Sequence, residues 1–315
     1  MTIYIYQIQY DDKTSANPNN KTKNFDCREN PEFLKREMAH LVRFYDEVIC
    51  SNEYKETDYF ALLSPKFFDK TGLTGQDIEN CLIQDHYQHD VYIFNPRPLY
   101  PYKFLNVWLQ GEVNHSGLMV LADKLFAKAK YTFTPSSLHR NPHHKVSYCN
   151  YWIAKKSFYR QFISFIKHLD QCIENMSSDE KVQYFSKTQY STEACFYPFI
   201  FERLLTTYLY MYPEYQSQSY SFKKDNANAF KRCNHLEIDF YLNGNKEIFD
   251  HWEKTLCPES KIISQEIERL NYYFYPKFPL KFLVSIIKKI SKIQINNIMN
   301  KKVKEINLLK ENIKE

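Results

Sequence analysis

Glycine is the scarcest informative residue in this chain. It occurs five times in 315 residues, at Gly72, Gly75, Gly111, Gly117 and Gly244, where average usage of about 7% would give about 22. Those positions spell neither G-x-G-x-x-G nor G-x-x-x-x-G-K-[ST], which argues against a dinucleotide-binding Rossmann enzyme and a P-loop ATPase. The eight cysteines form no C-x-x-C pair, which argues against a structural zinc site. No G-x-S-x-G is present either, so no serine nucleophile announces itself. Runs of 18 apolar residues are absent, as is a basic-then-apolar leader. The expectation is a cytoplasmic protein with reduced thiols.

Aromatic residues are plentiful, with 26 Tyr and 24 Phe. Their faces stack on sugars and bases, although an AT-rich coding sequence supplies the same residues. Hydrophobic residues at 43% and charged ones at 25% are ordinary for a chain that buries a core.

Strand and helix patterns alternate. Ile3 to Ile8 reads as a strand, and Asp11 to Glu29, with Asn17-Pro18-Asn19-Asn20, as a loop. Asn30-Pro31 predicts a helix start, followed by the stripe Phe33, Leu34, Met38, Leu41, Val42 and Tyr45. Tyr59 to Leu63 is a buried-strand run. Thr74-Gly75-Gln76-Asp77 is a capping box opening a helix to Gln84. Val91 to Phe94 is a strand stopped by Asn95-Pro96. Ser116 is the expected cap of a helix through Leu118, Leu121, Leu125 and Phe126. Further on come a strand within Val146 to Ala154 and helices over Ser157 to Ile173 and Phe199 to Tyr210. The fold class is α/β, a mainly parallel sheet covered by helices, with its ligand expected outside the strand C-termini. That places the mouth at Asn95 to Arg97 and just after the first strand.

Residues 277 to 315 differ from the rest. They hold ten Lys against three Glu, a net charge of +7, whereas the whole chain is +5 and residues 1 to 276 are therefore −2. Leu283, Ile286, Ile287, Ile290 and Ile293 recur at helical spacing. The expectation is a domain over 1–276 and a basic amphipathic helical tail over 277–315, lying on an anionic membrane surface or packed on the domain or a second copy. A body at −2 lacks the basic face that nucleic acid requires.

Several segments could carry chemistry. Leu105 to Ser116 gathers Gln110, Glu112 and His115; on a helix, Glu112 and His115 share a face and suit a base, a metal or sugar hydroxyls. An ordinary capped helix start accounts for them equally well. Asn150 is a polar residue embedded in the apolar end of a strand and must be paired if buried. Glu202-Arg203 places an acid beside a base in an apolar helix, an interior ion pair or a site. His139 to His144 reads as a loop that could hold an anion.

The order of segments Tyr59-to-Phe67, Asp90-to-Ile93, Gln110-Gly111 with His115, Asn150-to-Lys155 and Phe201-to-Leu204 resembles GT-A-like glycosyltransferases of bacterial capsule and lipopolysaccharide loci. The resemblance covers residues 1 to 212. It implies a GT-A-like fold, a nucleotide-sugar donor, and transfer to a surface-polysaccharide or lipid-linked glycan acceptor, while the basic tail is what would bring the protein to the inner face of the membrane. Asp90, Glu112 and His115 are then the catalytic candidates, and Gln110, Asn150, Glu202, Arg203, Lys66 and Arg97 the substrate-binding ones. GT-A enzymes often hold Mn²⁺ or Mg²⁺ through an Asp-x-Asp, which this chain lacks; Glu237-Ile238-Asp239 is its nearest substitute. Without a metal, Arg97, Arg140 or Lys66 must stabilise the leaving diphosphate. A non-catalytic assembly protein of the same loci is the competing expectation.

Overall fold

The computed structural model describes residues 1–230 except 18–19, 99, 105, 139, 189–193 and 224–226. The expected tail over 277–315 and Glu237-Ile238-Asp239 lie outside the described residues. Among the described residues six strands form one sheet: β1 (Ile3–Gln9), β2 (Lys23–Asp26), β3 (Tyr59–Leu63), β4 (Val91–Ile93), β5 (Trp152–Lys155) and β6 (Ser217–Ser219), in the order β2-β1-β3-β5-β4-β6. All pairs are parallel except those of β5, which runs against both β3 and β4. The fold is thus α/β with a mostly parallel mixed sheet.

The side-chain alternation of β3 shows why the sheet is covered on both sides. Phe60 and Leu62 enter one core with Ile8, Val91, Ile93 and Trp152. Tyr59, Ala61 and Leu63 enter a second core with Ile5, Tyr92 and Ile153. The first core is capped by α1 (Glu37–Phe44), α5 (Val107–Asn114), α6 (Leu118–Lys128), α7 (Lys156–Glu174), α9 (Phe196–Phe201) and α10 (Leu204–Met211). Over the second lie α2 (Phe67–Thr71), α3 (Gly75–Gln84) and the short α11 (Ala227–Phe230). Two further helices are α4 (Tyr100–Lys103) and α8 (Ser178–Phe185). The α7 stripe from Phe158 through Phe162, Ile166 and Leu169 to Ile173 is buried along the helix, as its 3.6-residue spacing requires.

Local chemistry accounts for α3: the Thr74 hydroxyl accepts from Asp77 N–H while the Asp77 carboxylate accepts from Thr74 N–H at 2.7 Å. Elsewhere the structure corrects the sequence reading. The helix expected from Asn30-Pro31 begins at Glu37, because Arg36 holds φ +52° and ψ −132° and separates a 3-10 turn, Phe33–Lys35, from α1. Phe33 and Leu34 consequently leave the stripe and are exposed. The stretch read as a loop contains edge strand β2, whose one buried residue is Phe25. Ser116 does not cap α6; Gly117 does, at φ +92°. The helix read from Phe199 to Tyr210 is two helices, interrupted at Glu202-Arg203.

Candidate functional site

The C-terminal ends of β1 and β3 open on the same edge of the sheet, and β5, being reversed, contributes the residues just before it. Tyr10 follows β1, Ser64-Pro65-Lys66 follows β3, and Asn150 precedes β5. Glu37 at the start of α1 and Glu202 between α9 and α10 close over them. Together they line two adjoining pockets of about 380 and 570 Å³, with Tyr10 and Glu37 common to both.

Three carboxylates line this cleft, Glu37, Glu202 and Asp69, and the first two share the smaller pocket. Glu202 is partly buried, its side chain 29% exposed. Desolvation pushes its carboxyl up to about 7; Arg203 and Lys70 oppose the shift and the nearby Glu37 adds to it. Glu37 is also raised, chiefly by desolvation, against the charges of Lys70, Arg36 and Lys66 and a hydrogen bond donated by Asn150 Nδ2 at the long limit of 3.5 Å. The Glu37 charge thus makes Glu202 harder to ionise, as a like charge in the same site does. The raised values mark a cleft with perturbed acid–base groups, the usual signature of a functional site.

Cations and rings complete the lining. Lys66 and Lys70 follow β3 and, with Lys13, line the larger pocket. Arg36 lines the smaller one. Its left-handed backbone is a strained conformation for a residue with a Cβ, and such strain gathers at functional sites. Among the described residues, the Tyr, Phe and Trp side chains left exposed are Tyr10, Phe33 and Phe68. All three line the cleft.

Asn150, Glu202 and Lys66, read from the sequence as substrate-binding residues, reach this cleft. Four others stand behind it and hold its wall. Arg203 is buried, its guanidinium donating to Val107 O (2.8 Å), Phe199 O (2.5 Å) and Gln110 Oε1 (2.6 Å). A Cβ on Gly111 would overlap Arg203 Nε and Leu118, so glycine there serves the close approach of this clamp. Glu112 accepts from Gly117 N–H at 2.7 Å and Met119 N–H at 2.9 Å, satisfying otherwise orphaned donors at the start of α6. His115 is buried, stacked on Phe199 with ring centres 3.6 Å apart. Burial, and then the Arg203 charge, push its imidazole down to about 4; it is neutral and backs a cleft-lining ring.

Asp90 belongs to a different place. It precedes β4 at the opposite edge of the sheet, paired with Lys155 Nζ at 2.9 Å and accepting from Gln216 N–H at 3.0 Å. That position takes it away from Asn150 and the cleft. Arg97 follows β4 on the cleft's edge of the sheet but lines neither pocket; its guanidinium lies 5.6 Å from the Tyr100 ring centre. The histidine-rich segment is not a simple exposed loop: Arg140 and Asn141 are buried, and Asn141 Oδ1 accepts from Val107 N–H.

Glu37, Tyr10, Phe33, Arg36 and Lys70 went unread as site residues. Tyr10 carried a signal, because it immediately follows the first strand where the mouth was expected. Glu37 carried none, since an acid on a surface helix is ordinary. Among the described residues, no group of three or more His, Cys, Asp or Glu is arranged to hold a metal ion, and no helix is long and apolar enough to cross a membrane. Comparison with family models, curated proteins and solved structures finds no match for this chain.

Proposed function

We propose that this protein is a GT-A-like glycosyltransferase that moves a sugar from a nucleotide-sugar donor to a surface-polysaccharide acceptor. The observation that carries the reading is the pair Glu37 and Glu202, two carboxyls raised in one cleft. A base with a value near 7 is half ionised at neutral pH and strong enough to take a hydroxyl proton. In this reading Glu202 removes the acceptor's O–H proton as that oxygen bonds to the donor's anomeric carbon. The bond from that carbon to the diphosphate breaks, and its electron pair leaves on the diphosphate oxygen. Lys66 and Lys70 supply positive charge to the departing group. A glycoside hydrolase would use a similar carboxylate pair, but three lysines in the adjoining pocket favour a diphosphate donor. The net +7 of residues 277 to 315 supports work at an anionic, cytoplasmic membrane face.

The test is a panel of UDP-, GDP-, CMP- and dTDP-sugars scored by thermal shift and donor hydrolysis, with Glu202→Gln beside the wild type. Turnover of one donor that Glu202→Gln loses supports the proposal. Stabilisation by none of them, or full genetic complementation by Glu202→Gln, points instead to the non-catalytic assembly role.

A further inference from the structure

The two pockets differ in chemical character. Among the residues lining the smaller one, Arg36 is the single Lys or Arg, set against Glu37 and Glu202. The larger has Lys13, Lys66 and Lys70 against Glu37 and Asp69. Exposed rings stand over both: Tyr10 and Phe33, 41% and 67% exposed, on the smaller, and Phe68 on the larger.

We propose that the smaller pocket is an acceptor subsite for an uncharged pyranose, a hexose or N-acetylhexosamine, stacked on Phe33 and Tyr10 with its hydroxyls on Glu37, Glu202 and Asn150. This rests on the glycosyl-transfer reading of the same cleft. A pyranose has an apolar C–H face and a rim of hydroxyls. The face suits the electron-rich surface of an aromatic ring, and the rim donates to carboxylates and exchanges hydrogen bonds with amides. A nucleobase would stack equally well, but it brings phosphates, and the lysines that would receive them line the other pocket. A uronic acid would set a third carboxylate beside two that already resist ionisation together, so the pocket discriminates against acidic sugars. The proton acceptor Glu202 lies in this pocket, where the attacking hydroxyl must be.

Saturation-transfer NMR on the full-length protein at pH 8, above the value near 7 to which Glu202 is raised, tests this directly. The probes are methyl glucoside, methyl N-acetylglucosaminide and methyl glucuronide. The neutral glycosides are expected to saturate, the glucuronide about fivefold less, and Phe33→Ala to reduce the neutral signals about fivefold, the scale of one lost aromatic stack. Phe33 is so exposed that this variant keeps its fold, which its melting curve verifies. Equal saturation by the glucuronide, no saturation by any glycoside, or unchanged signals in Phe33→Ala would overturn the assignment. Phe33-dependent binding without donor turnover leaves the subsite standing and removes the transferase reading. Donor turnover with Phe33-independent acceptor binding does the reverse.

Discussion

Replacing Glu202 by Gln removes a charge that the folded chain accommodates poorly, so the variant should be more stable than the wild type wherever that charge is present. The carboxyl rises from its ordinary 4.5 to about 7 on folding. Between those values the native state keeps a proton that the unfolded chain has released, and stability therefore falls as pH rises through the window. Each unit corresponds to about 1.4 kcal/mol, which sets a ceiling of about 3 kcal/mol for the whole shift. The side chain is 29% exposed, and water reaching it reduces this to about 1–2 kcal/mol. In a body of this size that is about 3–6 °C in Tm. Thermal scans of both proteins at pH 5 and pH 8 read the effect: near parity at pH 5, and a gain for Glu202→Gln at pH 8. Transfer activity should move the opposite way, lost by about 10²–10⁴-fold when the base is removed, while the wild-type rate climbs with pH and levels off above about 7. A variant whose stability relative to the wild type is the same at both pH values would refute the claim that burial of this acid shapes the cleft.

The same geometry makes further demands. Glu37→Gln removes a like charge that raises Glu202, so the midpoint of the pH–rate profile should shift to lower pH; an unmoved midpoint would show the two acids to be independent. Gly111→Ala should destabilise by about 1–3 kcal/mol in urea unfolding, because three hydrogen bonds prevent Arg203 from yielding to the new methyl group. His40 and His115 are buried and each is lowered to about 4. The unfolded chain binds those protons first as pH falls below about 6.5, so stability should drop from there toward pH 4. His115→Phe, which can preserve the stack on Phe199, should flatten that slope in a series of melting curves.

The parts of the fold that were legible rest on chemistry contained within a few residues. The β3 run Tyr59 to Leu63 is apolar at every position because both faces of the sheet are covered, and the Thr74–Asp77 box satisfies its own orphan N–H groups. What escaped is set by distant partners. The short polar β2 is a strand only because β1 pairs with it, and the direction of β5 depends on which neighbours it meets. No periodicity marks Arg36 as left-handed, and that single residue moves Phe33 from an expected core stripe to the rim of the cleft.

The candidate site divides along the same line. Gln110, Glu112, His115 and Arg203 stood out because polar groups within apolar helices must be satisfied, and a clamp meets that requirement as fully as an active site does. Sequence registers the requirement but not how it is met. Arg203 directs three of its five N–H donors to Val107, Phe199 and Gln110, and Glu112 accepts with both carboxylate oxygens at the start of α6; both are thereby tied into the wall behind the cleft. Glu37 and Glu202 are distinguished by the reverse condition. The hydrogen bond that reaches Glu37 from Asn150 is long, Arg203 Nη1 comes no nearer to Glu202 than 3.8 Å, and both carboxyls remain hard to ionise. An acid raised by burial and incompletely answered by its neighbours is less stable than it could be, and such groups gather at functional sites.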